Sequence, residues 1–529
     1  MAKSKAKRKA QSNTTSTAAK KQKTAGANTT TTTTTTTLDP SNPDSPIGSL
    51  SLTGGSTPYE VKNLATLVPE EDLEITVDTL RLLADNASLI KSKGCKDLRA
   101  AVFAFRQACT TGAVSAADAN GNLTSRISGA LADQNWVDAR ILLAEMRIRG
   151  QKPKLGALCR WVRDLDVISG LAEQREAAVG RGGEGQGETR TQAQRDVLQV
   201  LDAILRVIGP VDYSAAAVNN NNDDDDDNAH SGPMILRQAW DLREGRERTQ
   251  VYDSVLDGTL PASVPDTTTA RFRILDTTPG LERKPPNHHP AILHASQDHT
   301  IRFSEPAPTT TCHAHPVVPN LRVMRDALTA DECLQIIGVA EKIGFTPDAP
   351  IRAEGEEASI LAHNFYWMAD EAFCGGLWKR VEKYVPASVG GRAVRGLNRR
   401  FRVYRYVPGA EYRAHIDGAW PPSGISSDDK YIYDASPPEA KQSSLFTFLI
   451  YLNDEFEGGE TTYFLPGTRE GTLNAYPLKP IQGSIALFPH GEVDGNLLHE
   501  GTGVRKEEKP TAKYVIRTDV EYDVDPQTV

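Results

Sequence analysis

Two short segments near the C-terminus constrain the fold of this chain more than any other feature of its sequence. The first, residues 413–418, contains His415 and Asp417, and the second, residues 498–501, contains His499. Two imidazoles and one carboxylate form the ligand set that binds non-haem Fe(II) on one face and leaves the opposite coordination positions open. If these side chains share one ion, the two segments must lie side by side in the folded chain, although they are far apart in the sequence.

The sequence around the first segment predicts strands. Residues 402–407 are rich in β-branched and aromatic side chains, and a Pro-Gly pair follows them, which together are typical of a strand and a turn. Residues two positions apart on a strand project to the same side. His415 and Asp417 can therefore bind one ion while Ile416 packs the other way, and His499 would reach the same ion from a distant strand.

Six sequence blocks follow one another between about residues 317 and 522. They are 327–333, 406–412 leading into 415–417, 448–453, 458–461, 483–488 and 499–501. The first contains a capping box formed by Thr329 and Glu332. In this order the blocks resemble the Fe(II)- and 2-oxoglutarate-dependent dioxygenases of the prolyl 4-hydroxylase type. The resemblance implies a C-terminal double-stranded β-helix of the jelly-roll kind with flanking helices. It also implies Fe(II) and 2-oxoglutarate as cofactors, with ascorbate as reductant.

In this family the far carboxylate of 2-oxoglutarate meets a basic side chain on the last core strand. Lys513 is the first candidate because it precedes an aromatic residue, as the family's lysine does. It lies further beyond His499 than is usual, however, and Lys509 sits at the usual offset. Arg517 lies on the same side of the strand as Lys513, and its planar guanidinium group could also bind a carboxylate through two hydrogen bonds. All three residues stay open at this point.

Three further residues have two interpretations each. Tyr406 and Tyr451 resemble tyrosines that line the 2-oxoglutarate pocket in relatives, but they could equally be core aromatics whose hydroxyls find a partner. His490 is a rival to His499 as the distal metal ligand. His499 is preferred because a Glu-Gly pair follows it, as in the family.

A long loop, residues 418–444, follows the first two ligand candidates. It contains Trp420, Tyr431 and Tyr433. Long loops beside active sites are often lids or binding elements, and they can also be simple insertions. We expect these aromatic side chains to contact a peptide or a proline ring.

The rest of the chain predicts a multidomain architecture in which an α-helical N-terminal module precedes the β-helix. We expect a disordered basic and Thr-rich tail over 1–58, the helical module over 59–211, an acidic and Pro/Thr-rich linker over 212–312, and the dioxygenase domain over 313–525. Residues 127–153 resemble one pentatricopeptide-type hairpin. Such arrays need several stacked copies, so an ordinary helix pair that binds a protein partner is preferred over an RNA-binding one.

Charge and cysteine content bear on location and partners. A net charge of −9 over 529 residues argues against general affinity for nucleic acid. Residues 1–24 nevertheless carry two Lys/Arg clusters, which resemble a bipartite nuclear-import signal, and no apolar secretory core is present there. The six cysteines lack the regular spacing of a disulfide framework, and no run is long enough to span a bilayer. We expect an intracellular protein, nuclear or cytoplasmic, that is not secreted.

The resemblance implies hydroxylation of a protein side chain, with proline as the first choice. Two alternatives stay open. The first is a dioxygenase that acts on another side chain, a nucleobase or a small molecule. The second is a non-catalytic protein that uses the β-helix as a binding scaffold, and the presence of all three ligand candidates argues against it.

Overall fold

The computed structural model describes residues 68–111, 123–166, 168, 190–214, 233–243, 245, 248, 250–351, 362–505 and 509–524, without the side chains of 106–111. The chain divides into two compact units, Met1–Lys91 and Ser92–Val529. In the first unit the described residues form α1 (Glu70–Asp85) and α2 (Ala87–Ile90), and neither helix has a buried residue. The tail predicted over 1–58, with its two basic clusters, lies outside the described residues, as does the five-aspartate run of the predicted linker.

The helices of the second unit form three groups along the chain. The first group is α3 (Lys96–Thr111), α4 (Leu123–Ala132), α5 (Trp136–Ile148), α6 (Leu155–Asp164) and α7 (Gln192–Ile208). The second is α8 (Tyr252–Leu256), α9 (Thr259–Ser263) and α10 (Asp266–Thr269), and the third is α11 (Ala330–Ile343) and α12 (Glu371–Val381). Short 3-10 helices occupy Lys93–Cys95, Gly280–Glu282 and Glu382–Tyr384. Within the part of the chain that the structure describes, none of the helices is both long and apolar enough to cross a membrane.

The capping box predicted from the sequence is present at the start of α11. The Thr329 hydroxyl accepts a hydrogen bond from the backbone N–H of Glu332, and the Glu332 carboxylate accepts one from the backbone N–H of Thr329. This exchange satisfies two of the amide groups that a helix leaves without an internal partner at its N-terminus. The helix therefore begins where the sequence predicts.

The described strands lie in the second unit. In chain order they are β1 (Met234–Leu236), β2 (Phe272–Thr278), β3 (Ala291–Ser296), β4 (Thr311–Ala314), β5 (Arg322–Arg325), β6 (His363–Met368), β7 (Ser388–Val389), β8 (Arg392–Leu397), β9 (Arg400–Tyr406), β10 (Tyr412–His415), β11 (Gly424–Ile425), β12 (Tyr431–Ile432), β13 (Gln442–Tyr451), β14 (Thr461–Pro466), β15 (Leu473–Leu478), β16 (Ile485–Pro489), β17 (Leu498–Gly501) and β18 (Lys513–Asp523).

Most of these strands form two sheets. The small sheet has the order β1-β15-β14-β17-β10, and the large sheet has the order β2-β3-β6-β9-β18-β13-β16-β5-β4, with β8 also paired to β18 and β7 to β8. Within each sheet the pairs are antiparallel except β1 with β15 and β3 with β6, which are parallel. Strands β11 and β12 form a separate hairpin in the loop after β10.

The two sheets face one another across a buried cluster. Tyr406, Tyr451 and Val515 enter this cluster from the large sheet, and Tyr463 and Tyr476 enter it from the small sheet. Strands place alternate side chains on opposite faces, so each sheet has one face in this cluster and another face for a second layer. The sheet-rich C-terminal region is consistent with the jelly roll that the resemblance implies.

Helices α4 to α7 cover the outer face of the small sheet. Leu143 of α5 and Leu201 of α7 belong to one buried cluster with strand residues that flank the predicted metal ligands, Ala414, Ile416 and Leu498. Ile416 thus packs away from the ligands, as predicted. Because the helices and the strands share this core, the predicted separation of a helical module from the catalytic domain is not confirmed.

The linker predicted over 212–312 contains regular structure where the structure describes it. Strand β1 pairs with β15 of the small sheet, and β2 and β3 extend the large sheet. Helices α8 to α10 lie between β1 and β2 in the sequence. The linker prediction is therefore wrong for these residues. The cause is physical: a strand of three residues in polar sequence has almost no pattern of its own, and its hydrogen bonds come from a partner more than 200 positions away.

Candidate metal centre and cosubstrate cavity

The structure brings His415, Asp417 and His499 together on the inner face of the small sheet. His415 and His499 lie directly opposite one another on β10 and β17. One ligand atom from each of the three residues lies within 4.8 Å of the others. Nε2 of His415 is 3.4 Å from Oδ1 of Asp417, and Nε2 of His499 is 3.6 Å from Oδ2 of the same carboxylate. Three donor atoms therefore converge on one point.

Both imidazoles present the same nitrogen to that point. Nδ1 of His415 is 2.7 Å from the Arg413 carbonyl, and Nδ1 of His499 is 3.0 Å from the Leu497 carbonyl. A carbonyl oxygen can only accept, so each Nδ1 carries a proton, and in the neutral ring Nε2 is then the nitrogen with a free lone pair. Orientation of the ring through its other nitrogen is typical of histidines that bind metals.

The electrostatic surroundings keep His499 and Asp417 deprotonated. Burial, and after it the charge of the neighbouring His415 ring, lower the pKa of His499 to about 4. Burial alone would raise the pKa of the Asp417 carboxyl, but the Arg517 guanidinium and the two imidazoles hold that pKa well below its usual range. At neutral pH His499 and Asp417 are therefore in the protonation states that metal binding requires.

A cavity between the two sheets is lined by the three converging residues and by Lys513. The Lys513 ammonium lies 5.3 Å from the ring centre of Tyr406 and 5.7 Å from that of Tyr451. Its Nζ donates to the Gly459 carbonyl at 2.7 Å. Burial lowers the pKa of Lys513 to about 8, so the side chain is mostly a cation at neutral pH. The cavity thus has metal-type donors in one part of its wall and a buried cation in another.

Gly459 is required by the approach of Lys513. Its backbone has φ of +65°, a conformation that residues other than glycine rarely adopt. A Cβ at this position would lie 2.7 Å from the ring of Phe456 and 3.3 Å from Cδ of Lys513. The Gly-Gly pair of the 458–461 block therefore leaves room for the lysine that lies against it.

Arg517 is the second basic side chain of the cavity. Its Nη2 lies 3.3 Å from Oδ1 of Asp417 and 3.3 Å from Oδ1 of Asp519. Lys509, the third candidate, pairs instead with Asp253 at the protein surface. The structure therefore places Lys513 and Arg517 in the cavity, and it places Lys509 outside it.

The two tyrosines also line the cavity region. The hydroxyl of Tyr451 is 2.7 Å from Oγ1 of Thr461, and either oxygen can be the donor. Burial raises the pKa of both Tyr451 and Tyr406, so both phenols are neutral. Tyr406 lies in the cavity wall, whereas Tyr451 contacts Lys513 from beside it.

Comparison with known proteins agrees with this geometry. Residues 401–518 match the model of the 2OG-Fe(II) oxygenase superfamily. These residues belong to that superfamily. The matched segment of the oxygenase domain runs from β9 to β18 and includes the three converging donors and Lys513.

Two individual proteins are similar to the chain. "Probable prolyl 4-hydroxylase 9" from Arabidopsis thaliana is 29% identical over 205 residues, which cover 36% of this chain and 65% of the relative. This chain thus spans less than two thirds of that relative's length. A solved structure of an oxidoreductase of the 2OG-Fe(II) oxygenase family from Burkholderia pseudomallei is 15% identical and covers 38% of this chain and 84% of that one, with a TM-score of 0.22.

The donor set of the oxygenase domain fits Fe(II). Two imidazole nitrogens and one carboxylate, close enough together to share one ion, are the ligand types of the facial set in non-haem Fe(II) oxygenases. The Nδ1–H groups of both histidines are bound by carbonyls, so ring flips that would remove the ligand nitrogens are opposed. His415, Asp417 and His499 are therefore the residues that would hold the metal.

His490, the rival to His499, does not join the converging donors. Its ring is buried, with Nδ1 2.6 Å from Oγ1 of Thr447 and Nε2 2.7 Å from Oγ of Ser444. Both ring nitrogens are thus engaged by hydroxyl groups. Burial lowers the pKa of His490 to about 3, so the ring is neutral.

Eight residues of the cavity wall were not among the predicted site residues, namely Tyr404, Tyr412, Thr447, Leu449, Thr461, Phe488, Gly501 and Val515. Thr447 and Leu449 precede Tyr451 by four and two positions on β13. If Tyr451 is assumed to face the space between the sheets, the strand period of two predicts that Thr447 and Leu449 face it as well. Thr461 could not be found in this way, because its place depends on how β14 pairs with its neighbours.

The Cys-His-Ala-His run ending at His315 forms no second centre. Nδ1 of His315 accepts from the backbone N–H groups of Val317 and Val318. Across the ranges that the structure describes, the triad of the oxygenase domain is the only group of three or more His, Cys, Asp or Glu residues placed to share a metal ion. Most of the run lies in strand β4, which pairs with β5.

Proposed function

We propose that this protein is an Fe(II)- and 2-oxoglutarate-dependent dioxygenase with a double-stranded β-helix, and that it hydroxylates a protein side chain, proline first. One observation carries the proposal: a complete two-histidine, one-carboxylate set shares a cavity with the buried cation of Lys513. A metal site alone would need no such cation. A dianionic cosubstrate that binds the metal at one end and the protein at the other requires both.

The choice of Lys513 over Arg517 for the far carboxylate is supported by position. Arg517 lies 3.3 Å from Asp417, beside the metal donors. Lys513 is four positions away on β18, which is about 13 Å along a strand. A ligand whose 2-oxo acid end is at the metal therefore directs its other carboxylate away from Arg517 and toward Lys513.

Each residue has one task in this proposal. His415, Asp417 and His499 bind the metal on one face, and Lys513 orients the cosubstrate by a charge-assisted hydrogen bond. Bound Fe(II) supplies the oxidative decarboxylation of 2-oxoglutarate that is coupled to hydroxylation of a substrate carbon. The apolar and aromatic cavity wall, which includes Tyr404 and other buried rings, limits the access of water.

A protein substrate is supported by two observations. The Arabidopsis relative is named as a probable prolyl 4-hydroxylase. The loop after Asp417 also presents a pair of aromatic rings, Trp420 and Tyr433, with centres 5.1 Å apart. Flat apolar rings of this kind suit a proline ring or another peptide side chain.

Succinate formation tests the proposal. The full chain, incubated with Fe(II), ascorbate and 2-oxoglutarate, should form succinate, and His415→Ala should not. The full chain is needed because β1 to β3 and the helices that cover the small sheet precede residue 313. If the protein binds neither Fe(II) nor 2-oxoglutarate, the scaffold alternative replaces this one.

The substrate class is tested separately. A peptide library that contains proline should give a product about 16 Da heavier, the mass of one added oxygen atom, together with stimulated succinate formation. Nucleosides and small metabolites serve as the comparison set. Hydroxylation confined to that set would contradict the protein-substrate part and leave the cofactor part intact.

The proposal extends to location and partners. We place the protein in the nucleus or cytoplasm because of the basic clusters within residues 1–24, and we assign a protein partner to the helical region. Replacement of both clusters by alanine in a fluorescent fusion should remove nuclear accumulation if they act as an import signal.

A further inference from the structure

A line of hydrogen bonds joins the candidate metal carboxylate to the start of the loop that follows Asp417. Oδ2 of Asp417 accepts from Oγ1 of Thr447 at 2.6 Å, and that oxygen lies 2.6 Å from Nδ1 of His490. Nε2 of His490 is 2.7 Å from Oγ of Ser444, which accepts from the backbone N–H of Trp420 at 2.9 Å. The four side chains in the line are all buried.

The two end groups determine where each proton lies. The Asp417 carboxylate can only accept, so Thr447 donates its single proton to it and must accept from Nδ1–H of His490. The Trp420 amide can only donate, so Ser444 accepts from it and gives its own proton to Nε2 of His490. The assignment follows from donor and acceptor matching. The line therefore runs in one direction, from the loop amide through a neutral imidazole to the metal ligand.

The local fold holds His490 in this place. Its backbone N–H donates to the Leu445 carbonyl at 2.9 Å. The next residue, Gly491, has φ of +74°, and a Cβ there would lie 2.9 Å from the Ser444 carbonyl and 3.2 Å from Cβ of Ala419. The backbone of His490 is thus hydrogen-bonded to Leu445, and that of Gly491 packs closely against Ser444 and Ala419. His490 cannot move away without breaking these contacts.

We infer that His490 is a positioning residue for the metal centre and that it acts through Thr447. The Nδ1–H group orients the threonine hydroxyl, and that hydroxyl holds the Asp417 carboxylate against rotation, as outer partners of metal ligands commonly do. The inference rests on the proposed function, because it requires the triad to bind a metal. It gives His490 no contact with metal or substrate.

Metal affinity of the full chain tests the inference without reference to turnover. Mn(II) binding is measured by isothermal titration calorimetry for two pairs of variants. Thr447→Val and His490→Leu remove the hydrogen bonds, and we expect each to weaken Mn(II) binding about 10- to 100-fold. Thr447→Ser keeps the hydroxyl, and His490→Asn keeps a donor where Nδ1 stands, so both should stay within about threefold of wild type.

A double variant tests whether His490 acts through Thr447. If it does, Thr447→Val with His490→Leu should bind Mn(II) no more weakly than the weaker single variant. Fully additive losses would show independent effects and would overturn that part of the inference. The thermal midpoint of the metal-free proteins separates a folding defect from a loss of affinity, and Thr447→Val, which conserves shape, carries the test if His490→Leu does not fold.

The controls separate this inference from the proposed function. Wild type should bind Mn(II), and His415→Ala should not. If wild type does not bind, the proposed metal centre is wrong. If wild type binds and folded Thr447→Val binds equally well, the metal centre stands and the positioning role of His490 is overturned.

Discussion

Lys513 and Arg517 face one cavity from the same side of β18, but Arg517 contacts a negatively charged group and Lys513 a neutral one. Arg517 lies 3.3 Å from the Asp417 carboxylate, whereas Lys513 donates only to a neutral carbonyl, that of Gly459, at 2.7 Å. The arginine is thus already paired with a fixed negative charge. The lysine is a buried cation that contacts no carboxylate, which leaves it available to an anionic ligand.

Replacement of Lys513 by methionine should therefore abolish most of the affinity for 2-oxoglutarate. Loss of one partner of a buried charged hydrogen bond costs about 3 kcal/mol, which corresponds to about a hundredfold in the dissociation constant. The measurement is anaerobic titration of the Fe(II)-loaded protein, followed by the visible absorption of the 2-oxo acid chelate. Lys509→Met is the matched control, because that side chain is 61% exposed and pairs with Asp253, and its affinity should equal that of wild type. A variant Lys513→Met with unchanged affinity, beside an Arg517→Met variant that no longer binds, would reverse the assignment.

The affinity for 2-oxoglutarate should also fall at alkaline pH. Burial lowers the pKa of Lys513 to about 8, so in the protein without cosubstrate the cation is present below that pH and is lost above it. The dianion binds the cationic form, and the affinity should be level from neutral pH to about 8 and then decrease by up to about tenfold per pH unit. Lys513→Arg should remain charged and shift the decrease to higher pH. A decrease that is identical in both proteins would exclude Lys513 as its cause.

The convergence of His415, Asp417 and His499 could be predicted from the sequence because two independent rules agree on these residues. The strand period of two directs His415 and Asp417 to one side, and the donor chemistry selects Fe(II). The choice between Lys513 and Arg517 could not be made in the same way. It depends on which fixed groups each side chain meets in the fold, namely Asp417 for Arg517 and the Gly459 carbonyl for Lys513, and these contacts join segments far apart in the sequence.

The N-terminal half shows a different limit of sequence analysis. The apolar residues of α7 recur at helical spacing and include the buried ones, but this pattern does not say what the apolar face packs against. The partner is the outer face of the small sheet, which includes Leu498 beside His499. Such a contact arises from tertiary packing between segments far apart in the sequence, and only the structure shows it.

A cavity in the helical layer should weaken the oxygenase domain. Leu143 of α5 is 1% exposed and belongs to the cluster that contains Ala414 and Leu498, so Leu143→Ala should cost about 2–5 kcal/mol of unfolding free energy. Ile141, on the same helix and 60% exposed, provides the control, since Ile141→Ala should change that energy by less than about 0.5 kcal/mol. Urea unfolding measures both variants, and hydrogen exchange of the β10 amides reports the effect on the strand that carries His415. Unaltered exchange in β10 after a large loss of helix stability would show that the helices form an independent module.

Because of the buried ion pair between Glu332 and Arg380, part of the unfolding free energy should decrease at acidic pH. The carboxylate accepts two hydrogen bonds from the Arg380 guanidinium, at 2.8 and 2.9 Å, and further ones from the backbone N–H groups of Ser304 and Thr329. Burial alone would raise the pKa of Glu332, but these bonds hold it below its ordinary value of 4.5. A carboxyl whose pKa is lower in the folded state stabilises the fold fully above its unfolded pKa and loses that contribution as the pH falls through the folded pKa.

Glu332→Gln should therefore cost about 3–5 kcal/mol at neutral pH, because it leaves the arginine buried without its counter-charge. The difference from wild type should narrow as the pH falls below 4.5, where the wild-type carboxyl gains its proton. Urea unfolding across this pH range is the measurement. Glu371→Gln removes a pair with Arg399 in which the carboxylate is 79% exposed, and it should cost at most about 1 kcal/mol. A cost for Glu332→Gln that does not change with pH would argue against the ionised pair as its source.

The aromatic loop after Asp417 should affect substrate binding and leave the metal centre unchanged. Trp420 packs against Tyr433 at 5.1 Å, and the Arg400 guanidinium lies 4.9 Å from its ring, so the indole is held in place although it is only half-buried. We expect Trp420→Ala with Tyr433→Ala to raise KM for a peptide substrate about tenfold, which is about 1.4 kcal/mol, with Mn(II) and 2-oxoglutarate affinities unchanged. Tyr431 differs from both, since its hydroxyl is 3.0 Å from that of Ser423 and its ring packs on a buried cluster.

Tyr431→Phe therefore serves as the control for this loop, and its KM should stay near that of wild type. Steady-state kinetics with a peptide that the wild-type protein hydroxylates give KM and kcat separately. Succinate formation without peptide shows whether the cosubstrate reaction is intact. Because the hydrogen bond to Ser444 comes from the backbone N–H of Trp420, replacing the indole leaves that bond in place. An equal KM for wild type and the Trp420→Ala, Tyr433→Ala variant across several peptides would show that the two rings do not contact the substrate.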